Sequence, residues 1–212
     1  MIKFLLSVLL MLQLEENRIP KPEYLGNLMI SIPEDAEDKN YPMLIVFGGA
    51  TWATPKFLWE NTPEEYFNKS ILVYSPCFTY GGGNLKKVVQ NVSTHLQKKG
   101  IKYSSKSACG FSGGGPDVMI VENPKEFRAL GFIDPSPAAN GTVRFSSNMI
   151  LSFRRNNWIN SDFYGKVVNF RHFNALSANI RNAGGIVEEA DIFHDKYFAY
   201  FLNKFRKQLI GE

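Results

Sequence analysis

The most informative part of the sequence is SACGFSGGGPDVMI, residues 107–120, where glycines surround one serine. Glycine occupies positions 110, 113, 114 and 115, on both sides of Ser112. The pattern G-x-S-x-G, placed between a strand and a helix, is typical of a turn so sharp that side chains two positions before and after the serine would collide. The stretch therefore predicts a strand, a tight turn that exposes Ser112, and a helix.

Outward from this turn, short apolar runs alternate with longer amphipathic segments. We predict strands at 27–32, 41–49, 70–77, 106–112, 129–134, 148–153 and 186–192. We predict helices at 84–100, 113–123, 166–185 and 196–209. Strands joined by helix-length crossovers pair in parallel, which predicts an α/β three-layer sandwich with a mostly parallel central sheet and helices on both faces. In such sheets, ligands bind outside the carboxyl ends of the strands.

The composition indicates a globular protein with a sizeable core. The chain has 212 residues, of which 44% are hydrophobic, and we find no linker that divides it, so we predict one domain over residues 1–212. The net charge of +4 is spread over single basic residues and pairs, which does not favour nucleic acid as a partner. The sequence leaves the oligomeric state unknown.

The first residues, 1–20, have two interpretations. A lysine followed by an apolar run that ends near Leu14 resembles a secretory signal, but a small-x-small cleavage site is absent. The alternative is an N-terminal element that packs on the domain. The run is too short to span a bilayer, so we expect no stable membrane span, and the localisation is cytoplasmic or secreted depending on this segment.

No cofactor or metal site is predicted. Cys77 and Cys109 lie at the ends of predicted strands without metal-binding spacing, and the sequence leaves a single disulfide between them open. A second glycine cluster, TYGGGNLKK at 79–87, lacks the spacing of nucleotide-binding loops.

A serine hydroxyl needs a base to act as a nucleophile, and the chain has three histidines. His95 and His172 fall inside predicted helices, where surface or core roles are the simpler interpretation. His194 follows the last predicted strand, on the loop that leads into the C-terminal helix. It should therefore project from the same edge of the sheet as Ser112.

A strand, a tight serine turn, a helix and a histidine after the last strand together resemble the α/β-hydrolase superfamily, in its serine esterase and lipase-like members. The resemblance covers roughly residues 27–208. It implies a serine, acid, histidine triad in this chain order, with Ser112 as the nucleophile and His194 as the base. It also implies that no large lid is present, since only a short segment separates the strands at 129–134 and 148–153.

The acid of the triad departs from the usual pattern. Most members carry it just after the strand at 148–153, but residues 154–157 here are Arg-Arg-Asn-Asn, and the next carboxylate is Asp162. One strand earlier, Asp134 ends its strand before a proline, which resembles the position of the acid in pancreatic-type lipases. We favour Asp134, with Asp162 as the alternative acid. An uncharged orienting residue is a further alternative, either Asn156 or Asn157.

The oxyanion hole needs two backbone donors. One is the amide of Gly113, which follows the nucleophile. The other is expected from Gly49 or Ala50, in a Gly-Gly-Ala loop after the strand at 41–49 that resembles the His-Gly-Gly loop of the family with Phe47 in place of the histidine.

These residues predict hydrolysis of a carboxylic ester, or of a thioester or amide, on a small-molecule or polymer-borne acyl substrate. The alternative is a hydrolase-like binding protein without turnover, because the usual acid position and the oxyanion-loop histidine are both missing. Aromatic residues on loops at the predicted catalytic edge are candidates to line an acyl pocket: Trp52, Phe57, Trp59, Phe78 and Trp158.

Overall fold

Eight strands form a single sheet in the computed structural model, which describes residues 19–49, 52–77, 84–136, 143–154 and 170–211. The strands are β1 (Glu23–Leu25), β2 (Leu28–Ser31), β3 (Tyr41–Phe47), β4 (Ile71–Ser75), β5 (Tyr103–Phe111), β6 (Leu130–Ile133), β7 (Met149–Phe153) and β8 (Ile186–Glu189). The described α-helices are α1 (Pro55–Glu60), α2 (Leu85–Lys98), α3 (Gly115–Met119), α4 (Phe170–Asn182) and α5 (His194–Ile210). Short 3₁₀ turns lie at Glu64–Tyr66, Ser112–Gly114 and Pro124–Glu126.

The order of the strands in the sheet is β1-β2-β4-β3-β5-β6-β7-β8. The pairs β1/β2 and β2/β4 are antiparallel, and all pairs from β4 through β8 are parallel. The carboxyl ends of β5, β6, β7 and β8 consequently lie side by side. Residues that follow these strands are far apart in the chain but meet at one edge of the sheet.

The central strands are buried on both faces, as their unbroken apolar runs predict. In β3, residues 43–47 are fully buried. Met43 and Ile45 belong to the core on one face, whereas Leu44 and Val46 belong to the core on the other, because successive side chains of a strand point to opposite sides.

Helices cover each of these faces. On the first face, α2, α3 and α4 contribute buried apolar residues to the core. The side chain of Asn84 caps α2 by accepting a hydrogen bond from the Lys87 amide at 2.9 Å. On the opposite face, both α1 and α5 contribute buried residues. Those from α5 are largely aromatic: Tyr197, Phe198, Phe201, Leu202 and Phe205. The structure is the three-layer α/β sandwich with a mostly parallel sheet that the sequence predicts.

Several local predictions differ from the structure. β1 and α1, which have only 3 and 6 residues, were not predicted from the sequence. The helix predicted over 113–123 is shorter, because a 3₁₀ turn precedes α3, which ends at Met119. Residues 1–18 lie outside the described residues, so both interpretations of the N-terminal segment stay predictions. Among the helices that the structure describes, none combines the length and apolar character that crossing a bilayer requires.

Both cysteines are buried thiols, and they are not joined by a disulfide. The alternative of a single disulfide between Cys77 and Cys109 is therefore wrong. Burial raises the pKa of the Cys109 thiol, which keeps it protonated and unreactive.

Candidate active site

Ser112 occupies a strained turn directly after β5. Its φ of 51° lies in the left-handed region, which a residue with a side chain rarely adopts. Its carbonyl oxygen accepts a hydrogen bond from the amide of Ser136 at 2.8 Å, which ties the turn to the segment that follows β6. The surrounding fold thus holds the serine in a conformation that costs energy, as is common at functional sites.

The glycines two positions before and after Ser112 are required by space. A Cβ on Gly110 would lie 2.2 Å from the carbonyl oxygen of Gly114. A Cβ on Gly114 would lie 2.5 Å from the carbonyl oxygens of Phe47 and Gly48. The collision that the G-x-S-x-G pattern predicts is therefore present on both sides of the serine.

Asp134 and His194 meet at this edge of the sheet, although they are 60 residues apart in the chain. His194 Nδ1 lies 2.5 Å from Asp134 Oδ2. The Asp134 side chain is 1% exposed and that of His194 is 26% exposed. The Asp134 amide donates to the carbonyl of Ser152 at 2.7 Å, which fixes the carboxylate at the end of β6 against β7.

The sequence predicts His194 on the loop before the C-terminal helix. In the structure, His194 is instead the first residue of α5. Its position depends on the packing of the whole helix. The hydroxyl of Tyr197 lies 3.0 Å from Ser152 Oγ on β7, and the hydroxyl of Tyr66 donates to the carbonyl of Leu202 at 2.7 Å. These buried contacts anchor the helix that presents the imidazole.

Aromatic rings hold the imidazole on two sides. The Phe111 ring stacks on it with centroids 4.8 Å apart, and the Trp52 ring meets it edge to face at 5.5 Å. Phe57 packs against Trp52 at 4.9 Å. Trp59, in contrast, packs against Phe67 in the core. Of the aromatic candidates, Phe78 and Trp158 lie outside the described residues.

Arg154, the residue directly after β7, also contacts Asp134. Its Nε and Nη2 lie 2.7 Å and 2.6 Å from Asp134 Oδ2, and its backbone amide lies 3.3 Å from Oδ1. Burial raises the pKa of Asp134, but the hydrogen bond to His194 and the charge of Arg154 outweigh it and hold this pKa below its ordinary value. The carboxylate is therefore ionised at neutral pH.

The contacts made by Arg154 and Phe111 were not predicted from the sequence. In the sequence, Arg154 was noted only as the residue that occupies the usual position of the acid, and Phe111 only as the residue before the serine. The available signal was their position, because Phe111 ends β5 and Arg154 directly follows β7, the two strands that neighbour β6 in the sheet.

The loop after β3 lies against the serine. A Cβ on Gly49 would be 3.0 Å from Ser112 Cβ and 3.4 Å from Ser112 Oγ. The carbonyl of Gly49 is 3.8 Å from Cys77 Sγ, whose thiol donates to it. The amide of Gly48 donates to Ser75 at 2.8 Å.

The remaining predicted site residues and histidines lie in several parts of the chain. Gly113 lies in the 3₁₀ turn immediately after Ser112. His95 Nε2 lies 2.8 Å from a Glu23 carboxylate oxygen, away from the site, and His172 lies within α4. The remaining candidates lie outside the described residues: Ala50, Asn156, Asn157 and Asp162. Over the described ranges, His, Cys, Asp and Glu side chains form no group of three or more that could hold a metal ion.

No protein-family model and no curated protein sequence matches the chain. Solved structures do match. Esterase 2 of Thermogutta terrifontis, phosphoramylated by tabun, shares 15% identity with a TM-score of 0.55, over 90% of this chain and 96% of that one. An S-formylglutathione hydrolase from Agrobacterium tumefaciens shares 11% identity with a TM-score of 0.56, over 89% and 94% of the two chains.

The siderophore hydrolase EstB from Aspergillus nidulans is a third similar structure, with 14% identity and a TM-score of 0.58, over 90% of this chain and 95% of that one. At such identities the likeness establishes the fold. The chain has the α/β-hydrolase fold, in agreement with the resemblance drawn from its sequence.

Proposed function

We propose that this chain, which has the α/β-hydrolase fold, is a serine hydrolase that cleaves carboxylic esters through an acyl-enzyme on Ser112, with His194 as general base and Asp134 as the acid. The observation that carries the proposal is the 2.5 Å contact between His194 Nδ1 and Asp134 Oδ2, with the imidazole stacked on Phe111, the residue that precedes a serine with a φ of 51°. Two unrelated features, a strained serine and a buried carboxylate paired with a histidine, are characteristic of this chemistry when they occur together.

The contact with Asp134 supports one assignment of roles to the two imidazole nitrogens. An ionised carboxylate only accepts, so Nδ1 carries the proton and Nε2 is left as the base. Nε2 would take the proton of the Ser112 hydroxyl as Oγ attacks the acyl carbonyl. Asp134 would stabilise the imidazolium that forms, and the imidazolium would return its proton to the departing alcohol. A water activated by the same nitrogen would then release the acid and restore the serine.

The developing oxyanion would be stabilised by backbone amides. Gly113 follows the nucleophile and supplies one of them. The second comes from Gly49 or Ala50, since the Gly48 amide already donates to the Ser75 carbonyl at 2.8 Å. The close approach of Gly49 to Ser112 supports this assignment.

Trp52 suggests where the substrate lies. The residue is 43% exposed and its ring meets the His194 imidazole edge to face, so it offers an apolar surface next to the reacting bond. We assign it to the wall that contacts the acyl or alcohol part of a small or polymer-borne ester. Thioesters and amides are open to the same chemistry. The hydrolase names of the structural neighbours support cleavage of an acyl bond.

A fluorophosphonate probe tests the proposal. We expect one covalent adduct on the folded protein, located on Ser112 by peptide mass spectrometry and absent from Ser112→Ala. Ser104→Ala is the matched control, because this exposed serine lies near the other end of β5 and should not affect labelling. Hydrolysis of p-nitrophenyl acetate should be lost in His194→Ala. Folded wild-type protein that neither labels nor hydrolyses would instead support a hydrolase-like binding protein.

A further inference from the structure

The guanidinium of Arg154 and the imidazole of His194 share one carboxylate oxygen. Asp134 Oδ2 lies 2.5 Å from His194 Nδ1 and 2.7 Å and 2.6 Å from Arg154 Nε and Nη2. The side chain of Arg154 is 13% exposed and that of Asp134 is 1% exposed. The three groups therefore interact in an environment that water screens weakly.

The permanent positive charge of Arg154 weakens the stabilisation that the Asp134 carboxylate gives to a protonated His194 imidazole. A guanidinium stays protonated over the whole working pH range. A lone carboxylate favours the protonated imidazole strongly, whereas a carboxylate already paired with a cation favours it less, because the two charges partly cancel at the ring.

We propose that Arg154 is a positioning residue that lowers the proton affinity of His194 by sharing the Asp134 carboxylate. The imidazole then stays neutral, and so able to accept a proton, at a more acidic pH than Asp134 alone would permit. The use of that proton affinity in catalysis rests on the proposed function, but the electrostatic coupling itself does not.

Other charged residues adjoin His194 in the chain, on β8, on the segment before α5 and in the first turn of α5. They are Glu188, Glu189, Asp191, Asp195 and Lys196. The ionisable hydroxyl of Tyr197 also feels the charge of Asp134. All of them are retained when Arg154 alone is exchanged, so their effects are common to every variant compared.

A histidine titration by NMR in the Ser112→Ala background tests the coupling without any turnover. The His194 ring signal is the one that is missing from His194→Gln. His95 lies on α2, pairs with Glu23 on β1 and serves as an internal reference. We expect Arg154→Gln to raise the titration midpoint of His194 by about one pH unit and to leave His95 unchanged. Arg154→Lys keeps the charge and should keep the midpoint close to that of the parent protein.

A purely structural role for Arg154 would lower stability without moving the His194 midpoint. An unchanged or lowered midpoint in folded Arg154→Gln therefore overturns the proposal, and circular dichroism establishes that the variant is folded. Arg154→Met, which keeps the aliphatic stem, is the second neutral variant should the glutamine variant not fold, and the same rise is expected of it.

The pH profile of kcat/KM for p-nitrophenyl acetate separates this inference from the proposed function. In the active background, the acidic limb of the Arg154→Gln profile should move to higher pH by the same amount as the NMR midpoint. A shifted midpoint in a protein without turnover would remove the proposed function and keep the coupling. Turnover together with an unshifted midpoint would keep the proposed function and remove the coupling.

Discussion

The phenyl ring of Phe111 stacks on the imidazole of His194, with centroids 4.8 Å apart and ring planes inclined by 27°. Phe111 is fully buried and immediately precedes Ser112 in the chain. The residue that ends β5 therefore supports the imidazole whose partner carboxylate comes from the end of β6. This contact links the serine turn to the histidine and fixes the plane of the ring.

Replacing Phe111 by leucine should uncouple ring positioning from core packing. Leucine preserves most of the apolar volume, so we expect a loss of about 1 kcal/mol in the free energy of unfolding. The imidazole loses its stacking partner, and small misplacements of a catalytic group are costly, so kcat should fall by about tenfold to a hundredfold. Urea unfolding and steady-state hydrolysis of p-nitrophenyl acetate measure the two effects.

Phe67→Leu is the matched control for this exchange. Phe67 is 1% exposed and lies in the same core cluster, where its ring contacts Trp59. It should lose a similar amount of stability and keep its kcat. Equal kcat values for the two leucine variants would contradict a positioning role for the stack.

A methyl group at Gly49 should impair the site more than the fold. The added Cβ would lie 3.0 Å from Ser112 Cβ and 3.1 Å from Ala53 Cβ. The loop must give way by a few tenths of an ångström, which shifts a proposed oxyanion donor. Since one such donor contributes a factor of about 10² to 10³, we expect Gly49→Ala to lower kcat by about a hundredfold.

Gly26→Ala provides the opposite case. Gly26 has a φ of 62° and open space around its Cβ position, so alanine there strains the backbone without crowding a neighbour. It should lower the melting temperature and leave kcat unchanged. If Gly49→Ala behaves like Gly26→Ala in both measurements, the loop after β3 does not form the oxyanion site.

The parts of this site that the sequence predicts are those with a local steric or compositional cause. The need for glycine at positions 110 and 114 can be predicted from the sequence, because the tight turn around Ser112 leaves no space for a Cβ at either position. The sheet layers follow from apolar runs of strand length. These features need no knowledge of which strands are neighbours. Asp134 also ends a predicted strand, but its choice as the acid rests on the resemblance to pancreatic-type lipases.

The remaining features depend on contacts between residues far apart in the chain. The pairing of Arg154 with Asp134 follows from β6 and β7 being adjacent, and the stack of Phe111 on His194 follows from the angle at which α5 packs. Neither leaves a periodic signal. The short α1 was missed for a different reason, since six residues are too few to establish helical periodicity, although Thr54 caps it and Pro55 begins it.

The pH dependence of stability should report the ionised state of Asp134. Burial raises the pKa of this group, but the hydrogen bond to His194 and the charge of Arg154 hold the pKa below its ordinary value. A lowered folded-state pKa stabilises the protein above the pKa of the unfolded chain, about 3.9, and the contribution is lost as the pH falls through the folded-state pKa.

Asp134→Asn should therefore be destabilised at neutral pH by about 3 kcal/mol, because the Arg154 guanidinium loses its contact with the Asp134 carboxylate, and kcat should fall by about 10⁴-fold. The difference from wild type should shrink from its neutral value below about pH 4. Urea unfolding as a function of pH measures it. Glu122→Gln, which removes an exposed ion pair with Lys86, should show no such dependence. A difference that persists unchanged into acid would mean that the carboxylate is not ionised in the folded protein.

The backbone strain at Ser112 predicts that glycine is a more stable replacement than alanine there, which inverts the usual order. Its φ of 51° costs an L-residue about 1 kcal/mol, and glycine removes this cost, whereas alanine retains it. Both substitutions delete the hydroxyl, so Ser112→Gly should be inactive like Ser112→Ala but more stable by about 1 kcal/mol in urea unfolding. At Ser105, within β5, the order should reverse, because glycine weakens an ordinary strand position by about 0.5 to 1 kcal/mol relative to alanine. Glycine being the less stable variant at both positions would show that the turn around Ser112 is relaxed, and that the fold does not hold its proposed nucleophile under strain.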